Sequence, residues 1–397
     1  MLEAIKDKAA LLHKEVIDIR RHLHTYPELS FEEYETGKYI AGRLQAWGIP
    51  HQYPFSGTGV VALIEGGKGT GPVIALRADI DALPISEKNK VSYCSQNEGI
   101  MHACGHDVHS SSLLGTAKIL WDLRKEFAGT IKLIFQPGEE KAPGGASIMI
   151  KDGVLKNPAP AHIFGQHVHP PLEVGKIGIR PGLYMASADE LYLTVTGRGG
   201  HGALPQNTVD PIVITAQIIT ALQTLVSREG DPILPSVLTF GQIASTGGAT
   251  NIIPNEVKLK GTFRTMDEQW RAHALRRIQE IADGIAKAMG GSAQLDLIHG
   301  YPFLHNDEAL TARATEYARA YMGQENVVEL PIRMTSEDFS YYSQEIPACF
   351  YRLGTGNPAR GITSPVHTNT FDVDEECLLH STGLMAWLAM RELGSKV

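Results

Sequence analysis

The segment His102-Ala103-Cys104-Gly105-His106-Asp107-Val108-His109 collects three histidines, a cysteine and an aspartate in eight residues. All of these residue types ligate metals. A thiolate and an imidazole two residues apart can reach one ion if the chain turns sharply at the glycine between them. The same composition would suit a loop with a buried cysteine and exposed histidines. A second segment weighs against that reading. Gln136-Pro137-Gly138-Glu139-Glu140 delivers adjacent carboxylates at the end of a buried-looking strand, where their repulsion calls for a cation or a proton. Metal-assisted hydrolysis divides the work of such a pair: one acid ligates and the other takes a proton from water. Gln166-His167-Val168-His169 and Ser364-Pro365-Val366-His367-Thr368 contribute further histidines. Arg77-Ala78-Asp79-Ile80-Asp81 is a strand exit with two acids. Asp79 suits either orienting a ligating histidine or an ordinary turn.

These groups need elements to hold them. Leu2, Ile5, Ala9, Leu12, Val16, Ile19 and Leu23 recur at steps of three and four, one face of an amphipathic helix. A second helix is expected after Pro27, with Ser30 and Glu33 as a capping box and Gly48 as its stop. Apolar runs at Gly59–Ile64, Val73–Leu76, Thr130–Phe135 and His162–Val168 read as buried strands. Helices are expected near His109–Lys125, from Gly144 and from about Asp374. This alternation predicts an α/β fold with a mostly parallel sheet and functional groups at its strand ends.

After Pro181-Gly182 the pattern becomes strand–helix–strand–strand–helix–strand: Glu190–Thr196, Asp210–Ser227, Val237–Ile243, Val257–Phe263, Asp267–Met289 and Ala293–Ile298. That order is the split βαβ unit of ferredoxin-like α+β domains. The expected division is a catalytic domain in two parts, 1–182 and 300–397, with the ferredoxin-like domain 183–299 inserted. A chain of 397 residues is long enough for two cores.

The formal net charge of -8 is spread along the chain, which argues against nucleic acid or an anionic membrane as the main partner. No apolar run approaching the roughly 20 residues of a membrane span is expected, and no signal peptide. Four scattered cysteines suggest free thiols in a reducing compartment, the cytoplasm.

The motifs 77–84, 102–109, 136–140, Gly199-Gly200-His201-Gly202-Ala203 and 247–254 resemble the dinuclear aminoacylase/carboxypeptidase amidohydrolase family. Within it they are similar to the branch of hippurate hydrolases, N-acyl-amino-acid amidohydrolases and auxin–amino acid conjugate hydrolases. The likeness runs nearly the whole chain. It implies a phosphorylase/hydrolase-like catalytic domain with an inserted lid/dimerisation domain, and two divalent metal ions per subunit (manganese, zinc, nickel or cobalt). Cys104 would bridge the ions, with His106 and His167 completing one site and Glu140 and His367 the other. Glu139 would be the general base, and Asp79 would prop the metal site. Other branches carry a ligating histidine where Arg77 stands, so here His106 takes over that ligation. His201 would stabilise the oxyanion from a neighbouring chain. Asn251, with Arg264 as a further partner, would contact the substrate carboxylate. Glu337 and Asp338 resemble a further motif beside the site. The implied substrate is a small N-acyl amino acid, and the implied assembly is a homodimer or homotetramer. The alternatives are a dipeptidase, carboxypeptidase or desuccinylase on the same site, or a catalytically silent metal-binding dimer.

Overall fold

The computed structural model describes residues 1–394. These form two compact units. The first comprises Met1–Tyr184, His305–Ile332 and the residues from Asp338 on; the second comprises Met185–Leu304 with Arg333–Glu337. The return of Arg333–Glu337 to the second unit is not visible in the chain's periodicity. It follows from backbone pairing, since the N–H of Ala186 donates to the carbonyls of Arg333 and Thr335, each at 3.1 Å.

The first unit is a mixed α/β structure on an eight-stranded sheet. Its strand order is His51–Phe55, Gly59–Glu65, Thr130–Gln136, Val73–Asp79, His162–Glu173, Ala348–Gly356, Ile177–Ile179 and Val327–Glu329. The four central strands are mutually parallel. Ile74, Leu76, Ala78, Ile131, Leu133 and Phe135 are fully or almost fully buried, as expected of strands covered on both faces. Helices Leu2–Thr25, His106–Asp122 and Cys377–Leu393 pack against one another. At their crossing Gly115 meets Val16 and Thr382.

The chain departs from expectation at two places that matter below. His167 lies in the middle of strand His162–Glu173 rather than at its end. The second helix runs Tyr34–Ala46 and has no side-chain cap bond, so Ser30 and Glu33 do not form the expected capping box.

The second unit has a four-stranded antiparallel sheet in the order Ser236–Ser245, Glu256–Thr265, Asp189–Thr196, Ser292–His299. Strand Asp189–Thr196 alternates buried and more exposed positions, the pattern of a sheet with one wet face. Helices Pro211–Thr224 and Glu268–Ala288 are capped by Asp210 and Asp267, whose carboxylates accept the N–H groups of Ile212 and Trp270. Pro211–Glu229 is a helical stretch of 19 residues long and apolar enough to cross a membrane by composition, which amends the expectation that no such run exists. Its buried residues Ile214, Ile218, Leu222 and Leu225 belong to the core of this unit, with Leu191, Leu193 and Ile278.

Candidate metal centre

Strand Thr130–Gln136 carries the chain to Pro137, after which Gly138 (φ 62) turns it so that Glu139 and Glu140 follow directly. Gly105 (φ 81) makes the corresponding turn between Cys104 and His106. A Cβ there would lie 2.6 Å from Val168 Cγ2, so conformation and space both call for glycine. His367 adopts φ 62 without being glycine, and its N–H is held at 2.8 Å by the carbonyl of Ala103. A strained backbone of this kind persists only where surrounding contacts enforce it.

These turns bring five of the expected residues together. Cys104 Sγ stands 3.3 Å from His167 Nε2 and 3.3 Å from His367 Nε2. Donor atoms of Cys104, His106 and His167 lie within 4.8 Å of one another, and so do those of Cys104, Glu140 and His367. Cys104 is common to both groups. A third group joins His106, Glu139 and Glu140. Cys104, His106, His167 and Glu139 are buried, Glu140 is partly covered and His367 is exposed.

Hydrogen bonds select which histidine nitrogens are available. His167 Nδ1–H donates to its neighbour's carbonyl, Val168 O, at 2.8 Å, leaving the Nε2 lone pair toward Cys104. His106 Nδ1–H donates to Asp81 at 3.1 Å, and His106 Nε2, buried, has no hydrogen-bond partner among the described residues. Each ring, once neutral, is thus held in the tautomer that presents Nε2 as a ligand. An unpartnered buried imidazole nitrogen among a thiol and carboxylates suits a divalent ion that displaces its proton. The residues present therefore fit such ions.

The charges agree. Burial works against the imidazolium of His106, yet Asp79, Asp81 and Glu140 outweigh it and hold its pKa at about 10. Burial and the nearby Glu140 and Glu139 carboxylates push the Cys104 thiol well above its usual range. This is a strongly negative pocket, in which a dication would displace protons. His167 is shifted the other way, first by burial and then by the Arg352 charge.

Asp79 is fully buried and accepts His109 Nδ1–H at 2.5 Å and Arg77 Nη1–H at 2.7 Å. Burial disfavours its charge, but His106, His109 and Arg77 together hold its pKa well below the carboxylate range. His109 cannot ligate in this arrangement, because its Nε2 accepts the Val168 N–H at 2.9 Å. Asp107 faces Arg20 at 2.7 Å and His24 at 2.9 Å instead of the ligand cluster. His102 is buried, with its pKa pushed down to about 4 by that burial.

Two contributors were not legible beforehand. Arg77 is wholly buried and links Asp79 to Asp338, the latter at 2.7 Å. The Asp338 N–H in turn donates to Glu139 Oε1 at 3.3 Å. Asp81 is the other; besides His106 it accepts the N–H of Glu140 at 2.9 Å. Its one advance signal is its place two residues after Asp79 at the strand exit.

In the second unit, His201 and Asn251 share a small ribbon. His201 pairs with Ile252, and the Gly202 N–H donates to the Asn251 carbonyl at 2.8 Å. The Ala203 N–H donates to His201 Nδ1 at 3.1 Å, so the neutral ring carries its proton on the exposed Nε2. Arg264 is not on this ribbon; its guanidinium donates to the Met334 carbonyl at 3.2 Å.

Residues 75–391 match the family described as Peptidase family M20/M25/M40. The chain is 40% identical over 385 residues to an N-acetyl-L-cysteine deacetylase of Bacillus subtilis, covering 97% of this chain and 89% of that one. It is 40% identical over 382 residues to an IAA-amino acid hydrolase of Arabidopsis thaliana, covering 95% and 86%. A crystal structure from Bacillus subtilis, a dinuclear metal-binding peptidase of the M20 family, superposes with a TM-score of 0.84 at 36% identity, covering 98% of this chain and 100% of that one. The chain belongs to peptidase family M20/M25/M40.

Proposed function

We propose that this protein is a dinuclear metal-dependent amidohydrolase that cleaves the amide bond of N-acyl amino acids to a carboxylate and a free amino acid. The observation that carries the reading is the position of Cys104, whose sulfur belongs both to the group with His106 and His167 and to the group with Glu140 and His367. The relatives named for deacetylating N-acetyl-L-cysteine and hydrolysing IAA-amino acids support the substrate class.

Cys104, His106, His167, Glu140 and His367 would hold the two ions. When bound, these would acidify a water and polarise the amide carbonyl. Manganese, zinc, nickel and cobalt all suit a mixed S, N and O donor set. Glu139 would take the proton from the attacking water and deliver it to the departing amine. Asp79 would support the centre through His109 and Arg77. The Nε2–H of His201, supplied by a neighbouring chain, is the donor we assign to the developing oxyanion, with Asn251 and Arg264 as substrate contacts. The second unit, whose sheet has the ferredoxin-like strand order, is assigned as the lid and dimerisation module. One of its two edge strands, Ser236–Ser245, is paired on one side only among the described residues and exposes Ile243, an edge suited to a second subunit. The free state of all four cysteines supports a cytoplasmic enzyme.

The test is Glu139→Gln, assayed with N-acetyl and N-benzoyl amino acids together with metal analysis. The variant should keep its metal and lose about 10²–10⁴-fold in kcat. Wild-type turnover by the variant would refute the base assignment. Metal without turnover by the wild-type protein over the whole panel would instead favour a silent binder.

A further inference from the structure

Ser30 and Glu33 have the spacing of a helix cap, but the fold uses both elsewhere. The carboxylate of Glu33, fully buried, faces the turn that carries the two adjacent acids. Its Oε1 accepts the N–H of Gly138 at 2.8 Å and of Phe31 at 2.9 Å. Its Oε2 accepts the Thr58 hydroxyl at 2.6 Å. Ser30 Oγ donates at 2.7 Å to Asp81 Oδ2, the same oxygen that accepts the Glu140 N–H. The peptide N–H groups on either side of Glu139 therefore both end on buried carboxylates that segment 30–33 supplies or holds.

The backbone there is unusual. Phe31 adopts φ 68, a left-handed conformation that is an outlier for a bulky residue. Its ring occupies the space a side chain at Gly138 would need, with Cε1 only 2.3 Å from where a Cβ would lie. An outlier whose ring fills the space beside Gly138 and whose N–H ends on Glu33 points to a positioning task. Packing alone does not account for a carboxyl in this place. Burial and the charge of Asp81 push its pKa up to about 7, so its ionised form is held at some expense to the fold.

We propose that Glu33 is a positioning residue for amide hydrolysis, its side-chain acceptor holding the Gly138 peptide and thereby setting where Glu139 points. The proposal rests on Glu139 being the base. Glu33 touches no reacting atom in this account; it acts through the turn.

Four variants of the metal-loaded protein test it: Glu33→Ala, Glu33→Asp, Glu33→Gln and, in parallel, Glu139→Gln. For each, kcat and KM on N-acetyl and N-benzoyl amino acids and bound metal are measured. Glu33→Ala removes the acceptor, and Glu33→Asp draws it back by one methylene. Each should lower kcat by up to about 10²-fold, the scale of a misplacement near 1 Å. KM should stay within about threefold, because ground-state binding is untouched, and metal content should match wild type. Glu33→Gln keeps an oxygen for Gly138 and should recover most of kcat. If Glu33→Ala does not fold, the contrast between Glu33→Asp and Glu33→Gln decides. Wild-type kcat in the alanine or aspartate variant overturns the proposal. So does a kcat loss matched by metal loss, or a glutamine variant as slow as the aspartate one. An active Glu139→Gln removes the base assignment and the proposal with it. An inactive Glu139→Gln beside a fully active Glu33→Ala removes only the proposal.

Discussion

Around Cys104 the expected ligands and their neighbours are held by second partners: His106 by Asp81, His167 by the Val168 carbonyl, and Asp79 by Arg77 and His109. The ribbon bearing His201 is built differently. It consists of Gly200–His201 against Ile252–Ile253, and His201, Gly202 and Asn251 are exposed. The first arrangement suits groups that must meet an ion with small tolerance, since ligand orientation is set by outer partners. The second keeps one N–H donor oriented by a single local hydrogen bond. Substitutions of the ligands and of the partners that hold them should therefore disturb metal or stability, whereas substitutions in the ribbon should change turnover alone.

Cys104→Ala tests the first half most severely. Removing the donor common to both ligand groups should deplete bound metal and abolish measurable hydrolysis; full metal content in this variant would break the shared-ligand reading. Arg77→Met should come next. Breaking a buried ion pair from one side leaves Asp79 and Asp338 uncompensated, at about 3–5 kcal/mol of stability. Chemical denaturation would measure this, and a loss below 1 kcal/mol would show that Arg77 is not the link described. His201→Ala should lower kcat about 10²–10³-fold, the effect of losing one oxyanion donor, with metal content and denaturation midpoint unchanged. A parallel loss of metal would erase the distinction between the two regions.

The smallest effect on metal and turnover concerns Glu392, whose partners are His162 and Arg313. Burial disfavours its charge, but His162 and Arg313 outweigh that and hold its pKa at about 2, against an ordinary 4.5. A lowered folded-state pKa contributes stability that is present above the unfolded value and lost as pH falls through the folded one. The contribution should therefore disappear between pH 4.5 and about 2. Glu392→Gln should flatten the stability curve in that window; an unchanged acid slope would count against the assignment.

Much of this architecture could be read in advance, for local reasons. The expected starts of two helices, Asp210 and Asp267, fall on the residues that cap them, because an acceptor side chain at that point satisfies a free N–H whatever lies beyond. The ligand types around Cys104 and Glu140 were evident because few other tasks assemble thiol, imidazole and adjacent acids. The Ser30–Glu33 pair shows the limit of the same logic. A capping box is only one way to satisfy those side chains, and the partners that win, Asp81 and Gly138, lie 51 and 105 residues away. His167 was placed at a strand end because its strand was expected to stop at Val168; pairing with Ala348–Gly356 carries it on to Glu173.

By itself, the order of residues determined the alternation of helices and strands, the change of character near Pro181 and the chemistry available at each turn. These depend on periodicity and on the preferences of single residues. Only the tertiary structure decided which nitrogen of each histidine is available, that Cys104 belongs to two groups, and that Arg77 reaches Asp338 across 261 residues of chain. Those outcomes depend on buried polar groups finding partners. In a folded chain the partner is whichever group the packing brings within about 3 Å, and sequence distance does not measure that.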